Sequence, residues 1–371
     1  MRNKIFVSIF ALFLAIISIG TLVAPKKDFS DNENRILATF PEVNVKAIVD
    51  GKFTAGISDY FTDHILFRDG WETLKTITEK LMGKHNSGSI FAAKNGMLIQ
   101  EFSDKDLEKS MKVLESISLF DTMMKDKFNM DVKIIISPTA TQIYKEELHK
   151  DCYTADSSEF FIKANEIDGF IDLNAVLNAH KDENIFYRTD HHWSHLGAYY
   201  AYVEYCNNIG LTAKSLDDFK IECVAEEFFG TTYSRYGLFD GKNPDKLETV
   251  SYDLLKHTTA TVKGETHTSI FYPEKLESKD KYLYFLGGNN GKTEVNTGLN
   301  TGRNLLLFKD SYANAVLPYL CFHFDNIIVI DMRYYPQSVF DLVEEYSITD
   351  TLLVYNINSL SESQAALLPI E

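Results

Sequence analysis

The chain of 371 residues is poor in cysteine and in positive charge. Its four cysteines, Cys152, Cys206, Cys223 and Cys321, show no metal-finger spacing, which argues against a zinc-finger scaffold. In an oxidising compartment they allow zero, one or two disulfides, and two bridges would allow three connectivities. Lysine and arginine number 37 against 53 aspartates and glutamates, a formal net charge of −16. No basic cluster stands out, which argues against a nucleic-acid partner. The acidity also disfavours anionic lipid headgroups. Internal repeats and low-complexity tracts are absent. What is present is ordinary for a globular protein, with 45% hydrophobic and 24% charged residues. The length fits one large α/β domain carrying an insertion.

Long apolar runs are scarce too. Only Ile5 to Ala24 is uncharged and apolar over 20 residues. At about 1.5 Å per residue that run crosses a bilayer core of roughly 30 Å. The lack of a second such run excludes a multi-span transporter. Arg2 and Lys4 precede it and Lys26 and Lys27 follow it, so charge gives slim support for a cytoplasmic N-terminus. A cleaved signal usually has a shorter apolar region, about 7–15 residues, with small residues before the cut. Here the run is longer, Leu22 is large and Pro25 follows Ala24 directly. The expectation is an uncleaved single-pass anchor over residues 1–24, with a signal peptide as the rival. Either reading puts the rest of the chain outside the cytoplasm.

Residues 25–49 are polar and weakly patterned and read as a tether. Residues 50–371 read as the domain, with 211–281 as an insertion near the site. Trp71, Leu74, Ile77 and Leu81 recur at helical spacing. Asn95-Gly96 predicts a hairpin within 87–99. Ser103 and Ser194 are placed to cap helices, the second running from His195 to about Asn208 with Gly210 as its stop. Strands are expected at 132–137, 169–173, 282–286, 304–308, 327–330 and 351–355. The last three alternate with helical stretches at 312–320 and 336–346. Such a β-α-β-α-β run builds a parallel sheet covered by helices, with its site at the carboxyl ends of the strands. Ser311, Arg333 and Asn356 fall at those ends.

Two segments carry chemistry. Tyr187-Arg188-Thr189-Asp190-His191-His192-Trp193-Ser194 offers a carboxylate and imidazoles. Leu305-Leu306-Leu307-Phe308-Lys309-Asp310-Ser311-Tyr312 delivers a serine onto a helix start. That turn exposes a hydroxyl beside free backbone N–H groups, which suits a nucleophile and half an oxyanion hole, although serine there also serves simply as a cap. Residues two apart on extended chain point the same way, so Asp190 pairs more naturally with His192 than with His191. A carboxylate on one imidazole nitrogen fixes the tautomer that lets the other take a serine proton. Asp190, His191, His192 and His195 also form a dense ligand set for zinc. No second cluster completes a coordination shell, so neither metal nor cofactor is assigned. Asn356, Arg333, Tyr312 and Asn289 are the candidate oxyanion and substrate-binding residues. Arg333 suits an anionic or sugar-linked group, or a pairing with Asp331. Asn356 suits an oxyanion or a turn, and Asn289 sits in the Gly287-Gly288-Asn289-Asn290-Gly291 loop.

Asp190-His191-His192-Trp193, with the distal Asp310-Ser311-Tyr312 element, resembles the bacterial DHHW proteins. These stand near the SGNH hydrolase-like proteins that O-acetylate alginate and other exopolysaccharides. The likeness spans most of the chain after residue 24. It implies a flavodoxin-like three-layer α/β/α fold, and it implies that Asp190 and His192 partner Ser311. It further implies a membrane-anchored, extracytoplasmic serine O-acetyltransferase acting on a cell-surface polysaccharide through an acetyl-serine. The acetyl donor would be a membrane-bound O-acyltransferase. A carbohydrate esterase, or a non-catalytic glycan-binding or assembly protein, would use the same fold.

Overall fold

The computed structural model describes residues 2–360 and divides the chain into two compact units, Met1–Gly88 with Tyr233–Gly241, and Ser89–Thr232 with Lys242–Glu371. Residues 361–371 of the expected domain lie outside the described range.

The first unit opens with the helix Arg2–Val23. Its Asn3–Val23 stretch is long and apolar enough to cross a membrane, a test that signal sequences also pass. The expected tether carries local structure. Phe29–Ser30 pairs with Arg35–Ile36, and Asn44 caps the short helix Val45–Val49. Asp63 pins this segment, accepting hydrogen bonds from the Arg35 guanidinium and, at 2.7 Å, from the Ala38 N–H. The Trp71–Leu81 periodicity lies on the helix Arg68–Leu81.

The second unit is mixed α/β. Its main sheet contains β1 (Val132–Ser137), β2 (Thr259–Val262), β3 (Glu265–His267), β4 (Lys292–Asn296), β5 (Asn304–Lys309), β6 (Asn326–Ile330) and β7 (Asp350–Asn356). The spatial order is β3-β2-β4-β6-β5-β7-β1. Strands β6, β5, β7 and β1 are parallel, and β4, β2 and β3 extend the sheet in antiparallel fashion. The unit also holds the helices α1 (Asp104–Phe128), α2 (His195–Asn208), α3 (Ala313–Leu320) and α4 (Phe340–Glu345). Residues 211–281 supply β2, β3 and a separate hairpin of Lys220–Phe228 with Asp245–Ser251.

The central strands are apolar runs because both of their faces are covered. On β5, Leu305 and Leu307 join one core cluster, while Leu306 and Phe308 join another. Helix α2 begins where Ser194 accepts a hydrogen bond from the Leu196 N–H at 3.1 Å, and Gly210 at φ +72° ends it. Ser103 and Asp106 form a reciprocal cap on α1. Strand β5 is followed by α3, β6, α4 and β7, with β6 on one side of β5 and β7 on the other. That reversal falls at β5, and α/β sheets bind ligands beyond the carboxyl ends of strands at such a reversal.

Two expected strands are not formed. Residues 169–173 contribute a single bridge, Phe170 to Ile134. Lys281–Tyr284 is a 3-10 turn, and Leu286, Gly287 and Gly288 all take positive φ, so the chain turns where a ladder would need extended backbone. No cysteine is in a disulfide among the described residues. Leu306 is fully buried, and Leu306→Ala is expected to lower the unfolding free energy by about 2–5 kcal/mol in urea titration.

Candidate active site

Ser311 follows the end of β5, and Asp190 and His192 lie on the loop before α2. The loop is held from below by Asp245, whose carboxylate accepts the N–H groups of Arg188 at 2.9 Å and Thr189 at 2.8 Å. It is held from the side by Trp193, whose indole N–H donates to the Tyr312 carbonyl at 3.0 Å. Those anchors bring three polar groups into one row. Ser311 Oγ lies 2.7 Å from His192 Nε2, and His192 Nδ1 lies 2.5 Å from Asp190 Oδ1. The His192 N–H also donates to Asp190 Oδ1 at 3.0 Å. Asp190 Oδ2 accepts from the Thr231 N–H at 2.7 Å and its hydroxyl at 3.1 Å.

Asp190 and His192 are buried, whereas Ser311 is half-buried and reachable. Burial by itself would raise the Asp190 carboxyl. The neighbouring His192 and His191 rings and the donated hydrogen bonds outweigh it, and hold this carboxyl well below the usual range. Asp190 therefore stays ionised and orients the imidazole so that Nε2 faces Ser311 Oγ, an arrangement able to pass a proton between them. The Ser311 N–H carries no hydrogen bond among the described residues, so it remains available as a donor.

The four binding candidates have distinct fates. Tyr312 is fully buried and donates its hydroxyl to the His191 carbonyl at 2.5 Å, so it braces the loop before α2. Asn356 donates through Nδ2 to Asp310 Oδ2 at 2.8 Å and accepts the Ser359 N–H at 2.9 Å, so its amide is tied to the chain after β7. Arg333 binds Asp331 through Nε at 2.9 Å and Nη2 at 2.7 Å. Asn289 is exposed, and its carbonyl oxygen accepts from Lys309 Nζ at 2.8 Å. An ammonium only donates, so this contact sets the Asn289 amide with its NH2 turned away from Lys309.

Asp190, His191 and His192 offer ligand atoms within 4.8 Å of one another. A metal ion held there would take one ring nitrogen of His192, and so displace either Asp190 from Nδ1 or Ser311 from Nε2. His191 Nδ1 is already 2.5 Å from Thr231 Oγ1.

Sequence reading missed Gly230, Thr231 and Tyr282. Gly230 is required because a Cβ there would come within 2.1 Å of Asp190 Oδ2. Tyr282 stacks on the His192 ring with centroids 3.7 Å apart and planes at 7°. Lys309 is buried, with Nζ 2.8 Å from both Asn289 Oδ1 and Asn314 Oδ1. Thr231, Gly230 and Tyr282 lie tens of residues from the motif, where no local pattern marks them.

Residues 115–330 match the DHHW protein family, more than half of the chain, and the chain belongs to that family. It is similar to a crystallised DHHW family protein from Eubacterium siraeum, at 27% identity and TM-score 0.64, over 75% of this chain and 92% of that one. It also shares its fold with PatB1 of Bacillus cereus, at 19% identity and TM-score 0.61, over 75% of this chain and 98% of that one. A second PatB1 structure, with a sulfonyl adduct, matches with TM-score 0.59 over 75% of this chain and 97% of that one. No curated protein matches the sequence.

Two outcomes follow from the packing. Gly230→Ala should lower the unfolding free energy by about 1–3 kcal/mol in urea titration, because the added methyl overlaps Asp190. Burial pushes the Lys309 ammonium down to about 8, against about 10.4 for an unfolded chain. Between those values the unfolded chain holds a proton that the folded chain has released, so this contribution to stability rises with pH. Urea unfolding of the wild type against Lys309→Met should shift in favour of the wild type between about pH 8 and pH 10.

Proposed function

We propose that the second unit is a serine O-acetyltransferase domain acting on a cell-surface polysaccharide. The observation that carries this reading is the continuous row from Asp190 through His192 to the accessible Ser311. The resemblance of the Asp190-His191-His192-Trp193 and Asp310-Ser311-Tyr312 elements to a family near the O-acetylating SGNH hydrolase-like proteins supports the choice of reaction. The apolar N-terminal helix supports a membrane anchor, with the domain on the extracytoplasmic side. The β-α-β-α-β order and the two core clusters on the sheet faces support an SGNH hydrolase-like α/β/α layering, with 211–281 as an elaboration of it.

In this mechanism His192 Nε2 takes the Ser311 proton as Oγ attacks the acetyl carbonyl of the donor ester. The oxyanion draws on the Ser311 N–H, and the outward Asn289 NH2 is a second candidate donor. Collapse breaks the donor C–O bond, and His192 returns its proton to the departing oxygen. A sugar hydroxyl then enters, His192 takes its proton, and the sugar oxygen attacks the acetyl-serine. The ester passes to the sugar, and Ser311 recovers its proton from His192. A membrane-bound O-acyltransferase would supply the donor. Were water to replace the sugar, the same steps would make an esterase.

Incubating the protein with p-nitrophenyl acetate and digesting it should give an acetyl-sized mass increment on the peptide holding Ser311. Ser311→Ala should lose the increment, and a folded wild type without it would overturn the reading. His192→Gln and Asp190→Asn should slow acylation by about 10³–10⁴-fold in burst kinetics. With a polysaccharide acceptor present, acetylated sugar supports transfer and free acetate alone supports the esterase.

A further inference from the structure

Tyr282 belongs to no motif, yet its ring lies against the base of the Ser311 row. It sits in the 3-10 turn Lys281–Tyr284 and is buried. The ring centroid is 3.7 Å from that of His192, and the planes differ by 7°. The His191 ring lies 3.8 Å from the same imidazole at 39°. Two rings at these distances cannot share one face, so His192 is held between them. The Tyr282 hydroxyl also donates to the Ser311 carbonyl at 3.3 Å, so one side chain touches both the base and the nucleophile's backbone. A stacked neighbour at this distance stops the imidazole from tilting out of line with Ser311 Oγ. Its π face also favours the positive charge that grows on the imidazole during acylation.

We infer that Tyr282 is a positioning residue that clamps His192 through its ring face, and this inference rests on the acyl-serine reading above. The competing role is plain packing, since Tyr282 also joins a cluster with Tyr187, Phe228 and Phe285. A packing role predicts losses that follow stability, whereas a clamp predicts losses that follow the aromatic face.

The full chain in detergent, with p-nitrophenyl acetate as probe, separates the two. Tyr282→Phe keeps the ring and loses one long hydrogen bond, so acylation should stay within about threefold of wild type. Tyr282→Leu removes the ring, and kcat should fall by at least about tenfold with KM little changed, because the reacting groups lose alignment. Tyr282→Met serves as a second ring-free variant should the leucine protein fail to fold. Proton NMR supplies the structural readout. The His192 ring protons, assigned by difference against His192→Gln, should sit upfield in wild type and Tyr282→Phe, and should lose that shift in the ring-free variants. Ring-free variants that acylate as fast as wild type overturn the clamp alone, as does a Phe variant as slow as Leu. A folded wild type that forms no acyl-Ser311 overturns the parent reading, and the clamp with it.

Discussion

The Asp190 carboxylate is almost shut off from water, yet it stays ionised among four hydrogen-bond donors. A charge in that position is costly unless donors surround it, and here the donors come from two segments, 190–192 and Thr231. Satisfying one buried charge therefore fixes the imidazole ring, the loop before α2 and the segment after Phe228 together. Asp310 plays the parallel part on the serine side. Its oxygens accept from the N–H groups of Tyr312 and Asn356, the Asn356 amide and the Ser359 hydroxyl. Burial raises the Asp310 carboxyl, and those hydrogen bonds act against the rise. One carboxylate thus braces the loop that carries His192, and the other the turn that carries Ser311.

The sheet makes this bracing possible. Strand β5 is enclosed by β6 and β7 and by apolar side chains on both faces, so its end is a rigid point from which Ser311 emerges. Helix α3 packs against α2, and α2 leads directly out of the Asp190-His192 loop. The Trp193 indole bonded to the Tyr312 carbonyl, and the Tyr312 hydroxyl bonded to the His191 carbonyl, sew the two loops to each other.

Much of this frame is legible in the sequence. Strands β5, β6 and β7 stand out as apolar runs because both faces are buried, β1 as a β-branched run interrupted by Lys133, and α2 is bounded by Ser194 and Gly210 as its capping chemistry dictates. The spacing of Asp190 and His192 is equally readable, since extended backbone aims both the same way. What escapes is whatever depends on long-range placement. Residues 282–286 carry the composition of a strand, but positive φ from Leu286 to Gly288 bends them away, and Tyr282 goes to the imidazole instead. Tyr312 is drawn inward by the buried carbonyl it satisfies, which nothing in its neighbours foretells.

His192 and Ser311 are 119 positions apart in the chain. His192 emerges first during synthesis, and Ser311 meets it only after β4 and β5 have been made and aligned. On the acyl-serine reading proposed above, a nascent or unfolded chain carries an ordinary, unreactive hydroxyl, and reactivity switches on with the final assembly of the sheet. On that reading, chemical competence doubles as a report that folding is complete.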